Sequence, residues 1–401
     1  MVERSPGRGL IDALRQLVRP PDLQTGEDRT ASRLELFFDL AFVLVVAELA
    51  LELHDDVTVQ GALRFAGLFA TIWWAWVSST LYANRFDHDD VLYRLYKLTG
   101  MAAVVGLAAS ATEATGERFE IFVGCQLVLR AMLLLQYGRA YRHVADARPV
   151  ARLYLFGAGA GALLWAVSLL VPRPLGFALW AAAVVLEALV PLLVTRAPAD
   201  VPLHVEHLPE RFALFVILVL GEAVAGVAHG LYDAEWGAPA VPVAGLSFVL
   251  TAALWWSYFD LAGGRAKRLL KDVGQQRSDH SHDVYIFGQL PLTLALATVA
   301  AGIELAIVQS GEGEVPTGTR LLLAGGVALY LVSMTLTDTG MSQRARSHWW
   351  WPLAAAAVAL VDVALEVPAV IVVGALAALL VAVLVVGTVQ RTTGDLAVDQ
   401  V

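Results

Sequence analysis

The sequence predicts an all-α integral membrane protein with about twelve transmembrane helices, arranged as two parallel six-helix halves. Of its 401 residues, 58% are hydrophobic and only 16% are charged, which is outside the usual range of soluble globular domains. Apolar stretches close to the ~20 residues needed to cross a ~30 Å hydrocarbon core recur along the chain. The basic residues also alternate between the two sides of these stretches. These three observations together predict the fold class.

The apolar stretches place the helices in order along the chain. The first six predicted spans are 34–53, 60–83, 91–112, 118–138, 152–171 and 175–195, and the second six are 210–229, 239–261, 283–309, 319–337, 348–365 and 367–388. Only Glu366-Val367-Pro368 separates the last two spans, so a bent re-entrant pair is the alternative there. The predicted organisation is an N-terminal segment (1–33), a first half (34–196), a linker (197–209), a second half (210–388) and a tail (389–401).

The basic residues orient the helices, because cytoplasmic loops carry an excess of lysine and arginine. Of the 28 basic residues, 23 fall on one side of the predicted spans. The opposite loops hold only Arg118, Arg173 and Arg320, and Arg64 and Arg130 lie inside spans. We therefore expect a multi-pass membrane protein with its N- and C-termini, linker and tail in the cytoplasm.

A weak internal repeat relates the two halves. Glu48 and Glu222 occupy corresponding places in the first and seventh spans, and Asp87 and Asp260 end the second and eighth. The offset between the members of each pair stays close to 174 residues. Because six spans precede the restart, the halves would share one orientation, as in transporters built from parallel repeats. Coincidence among hydrophobic helices is the alternative.

The same segments carry a family resemblance. The chain resembles the bacterial low temperature requirement A family, with matching residues in the stretches Glu35-Leu-Phe-Phe-Asp39-Leu, Asn84-Arg85-Phe86-Asp87, Glu210-Arg211-Phe212, Leu220-Gly221-Glu222 and Trp255-Trp256-Ser-Tyr-Phe-Asp260. The resemblance implies a multi-pass inner-membrane protein named for a role in growth at low temperature. It supplies neither a substrate nor catalytic residues.

Ionisable side chains deep in the predicted spans are the leading site candidates, because a charge at the centre of an isolated helix costs at least ~2.5–3.5 kcal/mol. Glu222 lies about 18 Å into the seventh span, near the midplane, beside Gly221. We expect it to bind a proton or ion, or to form a structural ion pair. Arg130 needs a carboxylate partner at this depth, and Glu48, Glu187 and Glu222 are available. Their pairing could form a gate or a purely structural contact.

A second group of candidates lies near the predicted cytoplasmic face. Glu35 and Asp39 are four residues apart and share one face of the first span. They could form a cytoplasmic entrance for protons or cations, or a helix cap paired with Arg33 or Arg85. We expect a charge network at this face, with Asp87 and Asp260 bridged to basic residues; its members are Arg85, Asp87, Arg94, Arg211 and Asp260.

The ninth span contains Pro291, which removes a helical hydrogen bond. Gln289 beside it could line a cavity, or the proline could simply kink the helix. The segments 88–90 and 280–283 hold histidine and aspartate at spacings too loose to predict a metal site, and we expect no cofactor. HExxH, Walker and GxSxG motifs are absent, so the sequence does not point to an enzyme, and nothing in it indicates nucleic-acid binding.

The acidic midplane and the parallel halves favour a secondary transporter or a proton/cation-linked carrier. Its partners would be membrane lipids and a small solute or ion. The alternative is a membrane-embedded sensory, binding or scaffold protein without transport activity, because the family resemblance is physiological rather than chemical. A water-accessible cavity joining the deep charges would favour transport, and a dry, packed centre would favour the scaffold.

Overall fold

The fold is known from a computed structural model of the chain. The structure describes residues 17–23, 32–87, 90–194, 207–263, 275–342 and 350–398. The predicted metal-ligand types His88 and Asp89, and most of the predicted linker, lie outside these residues.

The described residues form helices joined by short turns. In the first part of the chain the helices are α1 (Arg33–Asp55), α2 (Val59–Arg85), α3 (Val91–Ser110), α4 (Phe119–His143), α5 (Arg148–Ser168) and α6 (Arg173–Val194). In the second part they are α7 (His207–Asp233), α8 (Ala240–Trp256), α9 (Gln275–Val308), α10 (Thr317–Ser342), α11 (Trp350–Val361) and α12 (Ala369–Val398). A π-helix, Ser257–Gly263, continues α8.

The helix composition confirms an all-α multi-pass membrane protein. Among the described residues, nine helices are long and apolar enough to cross a membrane. The other three are α1, which carries several acidic residues, α2, which is rich in tryptophan, and α11, which has 12 residues. At 1.5 Å per residue α11 rises about 18 Å, less than the ~30 Å of a hydrocarbon core. The count of twelve spans stays a prediction.

The helices belong to two compact units. The first contains the described residues within Met1–Glu48 and Gly67–Arg211, and the second contains those within Leu49–Ala66 and Phe212–Val401. In the first unit, α3, α4, α5 and α6 pack each against the next. In the second, α9 packs on α10, α10 on α11, and α8 on α12.

Glycines permit the close approach of α5 and α6. A Cβ atom on Gly157 would lie 2.2 Å from Val190, and one on Gly161 would lie 1.9 Å from the Glu187 carboxylate. The two glycines are four residues apart and so lie on one face of α5. This small-residue face brings Glu187 of α6 into the interior of the first unit.

A two-residue antiparallel pairing lies at the end of α2. Asp22–Leu23 forms β1 and Phe86–Asp87 forms β2, with Asp22 opposite Asp87 and Leu23 opposite Phe86. The sequence placed Asp87 at the end of a helix, whereas α2 stops at Arg85 and Asp87 belongs to the strand.

Candidate functional site

A buried charge cluster forms where α1 and α7 begin. Arg211 Nη2 donates to Asp39 Oδ1 at 2.6 Å, and Arg211 Nη1 lies 3.4 Å from Glu35 Oε1. The His207 ring lies 3.7 Å from the second Glu35 oxygen. All four side chains are buried. We call these residues, Glu35, Asp39, His207 and Arg211, the α1–α7 cluster.

The first turn of α1 explains how Glu35 is held. The Ser32 backbone N–H donates to Glu35 Oε2 at 2.8 Å, and the Glu35 N–H donates to the Ser32 hydroxyl at 3.3 Å. This reciprocal arrangement is a capping box, and a carboxylate there also favours the helix dipole. Glu35 is therefore a helix cap, as one sequence hypothesis proposed. Its cationic partner is Arg211, whereas that hypothesis named Arg33 or Arg85.

Helices α2 and α3 complete the surroundings of Asp39. The Trp76 indole N–H donates to Asp39 Oδ1 at 2.8 Å, and the Asn84 amide lies 3.3 Å from the His207 ring. Lys97 of α3 is 1% exposed; its Nζ lies 4.3 Å from the centre of the Phe38 ring and donates to the Ser79 hydroxyl. Phe38 precedes Asp39 in α1. Two acids and two permanent cations thus lie close together in the interior.

A second charge pair lies deeper, between α4 and α6. Arg130 Nε donates to Glu187 Oε1 at 2.7 Å and Arg130 Nη2 donates to Glu187 Oε2 at 3.1 Å. The two residues are 3% and 7% exposed. Arg130 Nη1 donates to Gln126 Oε1 at 2.7 Å, and the guanidinium carbon lies 4.8 Å from the centre of the Trp165 ring. Such a two-point contact fixes both side chains in one plane.

The structure identifies which of the three carboxylates predicted from the sequence pairs with Arg130. The ion pair of Arg130 in the described part of the chain is with Glu187. Glu48 and Glu222, the other two candidates, are only partly buried. The sequence reasoning was correct that a deep arginine requires a deep carboxylate.

A small cavity with several polar side chains in its lining lies beside Lys97 and the Arg130–Glu187 pair. It has a volume of about 30 Å³. Its polar lining comes from α2, α3, α4 and α6 and includes Ser78, Ser79, Tyr96, Lys97, Arg130, Gln136 and Glu187. Since a buried water needs roughly 10–15 Å³ of such volume and several polar partners, about two water molecules fit.

Beyond Arg130 the interior of the first unit is aromatic. Trp165 stacks on Trp180 with ring centres 4.9 Å apart, and Trp180 stacks on Phe119 at the same distance. Phe122 also stacks on Trp180. Arg130 therefore has a set of packed rings on one side.

The second unit holds two other candidates. Glu222 is half-buried, and a Cβ atom on the neighbouring Gly221 would meet nothing within 4 Å. The close helix contact expected beside Glu222 is therefore not formed at Gly221. Gln289 is buried and accepts a hydrogen bond from the Tyr258 hydroxyl at 3.4 Å. Helix α9 continues through Pro291.

The expected charge network at the cytoplasmic face forms only in part. Arg85 is buried and donates to the Tyr154 hydroxyl at 3.1 Å, while Arg94 is exposed. Asp260 is exposed and accepts from the Trp256 indole N–H at 2.5 Å. The side chain of Asp87 lies outside the described residues. Arg211, another member of the expected network, forms salt bridges with Glu35 and Asp39.

Sequence reasoning missed four buried polar residues: Lys97, Gln126, Trp76 and His207. Lys97 was assigned to the basic side of the membrane although it lies inside the predicted span 91–112, and that placement was the available signal. Gln126 lies one helical turn before Arg130, a spacing that brings the two side chains together. For Trp76 and His207 we find no local sequence signal.

Among the described residues, no group of three histidine, cysteine, aspartate or glutamate side chains could hold a metal ion.

A known protein family matches the part of the chain that contains these residues. The family model described as bacterial low temperature requirement A protein (LtrA) matches residues 30–385. The chain is also similar to an uncharacterized protein of Rhizobium meliloti (strain 1021), with 28% identity over 293 residues that cover 69% of each chain. The matched residues include both charge groups and all residues that line the cavity.

Proposed function

Because this chain belongs to the bacterial low temperature requirement A (LtrA) family, whose description names a growth requirement and no reaction, we propose an activity from the geometry of its first unit. The activity is secondary transport: the protein is a proton/cation-linked carrier, or moves another small ion in exchange for or together with protons.

The observation that carries this proposal is the polar cavity lined by Lys97, Arg130 and Glu187. Ionisable residues inside a membrane protein are costly and usually mark a pathway for ions or protons. Lys97 packs on Phe38, which precedes Asp39 in α1 and also lines the cavity, so the cavity lies near the α1–α7 cluster. Titratable groups therefore follow one another from the beginning of α1 to the middle of α4.

The size of the cavity limits what is carried. A cavity of about 30 Å³ accepts water or a small ion, whereas sites for larger organic ligands usually measure ~300 Å³ or more. Protons can pass along water and titratable side chains without a larger opening. The dimensions thus favour a proton or a small ion over a metabolite.

We propose that the chain crosses the bacterial inner membrane twelve times, in two parallel halves, with both termini in the cytoplasm. The bias of the basic residues supports this orientation. The contacts of Glu35 with His207 and Arg211 also support it, because they place the beginnings of α1 and α7 at the same end of the first unit. An even number of crossings between the two helices would have this result.

We further propose that the protein is not an enzyme and works without a cofactor. The sequence lacks the hydrolase, protease and nucleotide-binding motifs considered above. Its partners would be membrane lipids and the transported ion, with no nucleic acid.

A membrane-embedded sensory, binding or scaffold protein remains the second candidate. The observation in its favour is the close pairing of the buried charges, since Arg211 and Arg130 each contact carboxylates at 2.6–2.7 Å. Fixed ion pairs of this kind can hold helices together without any movement of ions.

Reconstitution into liposomes separates the two functions. Purified protein is placed in vesicles containing a pH-sensitive dye, and proton flux is followed under a pH gradient while the external ions are varied. We expect flux in the wild type and its loss in Lys97→Met, which keeps the length of the side chain but removes its charge. No wild-type flux with any ion would reject the transport proposal and favour the scaffold. Flux in Lys97→Met equal to wild type would reject the cavity beside Lys97 as the pathway.

A further inference from the structure

The environment of Arg130 is unusually rich in hydrogen-bond donors. Two of its nitrogens donate to the Glu187 carboxylate and a third donates to Gln126 Oε1. Because Gln126 turns its oxygen toward the guanidinium, its amide N–H groups face away from Arg130. Gln126 Nε2 has no hydrogen-bond acceptor among the described residues, and the amide is fully buried.

Trp165 adds another donor. Its ring packs against the Arg130 guanidinium, and its indole N–H is buried without an acceptor in the described part of the chain. Buried N–H groups are nearly always paired, so each exception needs an explanation. Both residues contact Arg130, but neither lines the cavity on which Arg130 and Glu187 border, so the two donors show unused hydrogen-bonding capacity around the guanidinium.

The charges of the cavity indicate the sign of that acceptor. Its ionisable lining consists of Lys97 from α3, Arg130 from α4, Glu187 from α6 and the Tyr96 hydroxyl from α3. From α1, the nearest carboxylate, Asp39, is held by Arg211 and Trp76. If Glu187 takes up a proton, the cavity lining keeps two cations and no anion.

We propose that Arg130, together with Lys97 of the same cavity lining, forms a binding site for a small monovalent anion that competes with the ionised Glu187 carboxylate. Binding then couples an anion to a proton: the proton neutralises Glu187, the carboxyl group leaves the guanidinium, and the anion takes its place. The inference rests on the proposed transport function and names its substrate class. Planar oxyanions such as nitrate, formate or bicarbonate match the two-point geometry that Glu187 now uses.

Anion binding can be measured without transport. Purified wild-type protein in detergent is titrated with sodium nitrate, formate, bicarbonate or chloride, with sodium gluconate at equal ionic strength as the control for salt. Thermal unfolding and Trp165-dependent fluorescence report binding across a pH series. We expect stabilisation by the small anions and none by gluconate. Affinity should rise about tenfold for each pH unit lowered while Glu187 is mostly ionised, since one proton binds with each anion.

Substitutions connect the binding to the named residues. Glu187→Gln keeps the shape of the side chain but not its charge, so it should bind nitrate at least about tenfold more tightly at mildly alkaline pH and lose the pH dependence. Lys97→Met removes the second cation of the cavity lining and should weaken binding. Glu222→Gln, outside this site, should retain the wild-type pH dependence.

The possible results distinguish failure of the anion site from failure of the transport function. Nitrate binding that is independent of pH in the wild type, or pH dependence retained in Glu187→Gln, would overturn the competition. Equal stabilisation by gluconate and the small anions would also overturn the site. Anion binding as expected without flux in liposomes would support the anion site and reject transport. Proton flux without any dependence on anions would support transport and reject the anion site.

Discussion

Arg211 and Asp39 are 172 positions apart in the sequence, yet their side chains meet at 2.6 Å in the interior of the first unit. Arg211 lies in the second turn of α7, where the helix dipole disfavours a positive charge. Its stability there depends on the carboxylates of Asp39 and Glu35. This contact joins the beginnings of the first and seventh helices.

Arg211→Ala should be strongly destabilising, because it leaves two buried carboxylates without their cation. Breaking a buried pair from one side typically costs ~3–5 kcal/mol. The double variant Arg211→Ala with Asp39→Asn should recover part of the loss. Thermal unfolding in detergent measures both, with Arg94→Ala, an exposed arginine in α3, as the control. Equal melting temperatures for Arg211→Ala and Arg94→Ala would contradict this role of the pair.

The partner of Arg130 can be identified by rescue. Arg130→Ala should lower stability by several kcal/mol, on the order of a buried unpaired charge, or block accumulation. Adding Glu187→Gln should restore part of the stability, whereas adding Glu48→Gln should not. The comparison is matched because both second changes neutralise a glutamate. If Glu48→Gln rescues as well as Glu187→Gln, the pairing seen in the structure is not the one that matters for stability.

Gly161 provides a test that leaves every charged residue in place. A methyl group there would lie 1.9 Å from Glu187 Oε1, so Gly161→Ala should displace the carboxylate from Arg130. Overpacking of this kind typically costs ~1–3 kcal/mol. Gly159→Ala is the control two positions earlier in α5, where the nearest atom is 4.0 Å away. We expect a lower melting temperature for Gly161→Ala alone; similar values for both variants would argue against close packing at Glu187.

Substitutions of Glu222 and Glu187 are expected to have opposite effects on proton flux in the liposome assay. Glu187 is buried in the proposed pathway, whereas Glu222 is half-buried beside an open surface. Glu187→Gln should therefore abolish flux that depends on the pH gradient, and Glu222→Gln should retain most of it. Both proteins should insert and accumulate. Loss of flux in Glu222→Gln with normal flux in Glu187→Gln would move the pathway to the second unit.

The orientation predicts a labelling pattern in intact cells. After Cys125 is replaced by serine, single cysteines at Asp233 or Glu312 should react with an impermeant thiol reagent from outside, because both positions are exposed and follow predicted spans on the external side. A cysteine at Gln275, where α9 begins, should react only after the cells are permeabilised. Labelling of Gln275 in intact cells would reverse the orientation.

Two parts of the site could be inferred from the sequence. One follows from the energetic cost of a buried charge, and the other follows from the spacing of two residues at the start of a helix. An arginine in the middle of an apolar stretch requires a carboxylate, and this reasoning placed Glu187 among three possible partners of Arg130. The pattern Ser32-x-x-Glu35 gives the capping box directly. In both cases the argument needs only depth or local spacing.

Other parts could not be inferred from local patterns. Glu222 was the leading candidate by depth, but the structure leaves it half-buried and buries Lys97 instead. Depth along a helix does not tell which way a side chain points around the axis. The contact between His207 and Glu35 likewise joins segments far apart in the sequence.

The sequence by itself determined the class of this protein, since apolar stretches of membrane length form helices whatever their neighbours are. It also determined the family and the need for buried charges to be paired. Only the tertiary structure decided that Arg130 pairs with Glu187, that Arg211 pairs with Asp39, and that a water-sized cavity lies beside Lys97 and the Arg130–Glu187 pair. The physical reason is that helices that are apolar on every side have no polar face to fix their rotation, so partners are selected by packing such as that of Gly161 against Glu187.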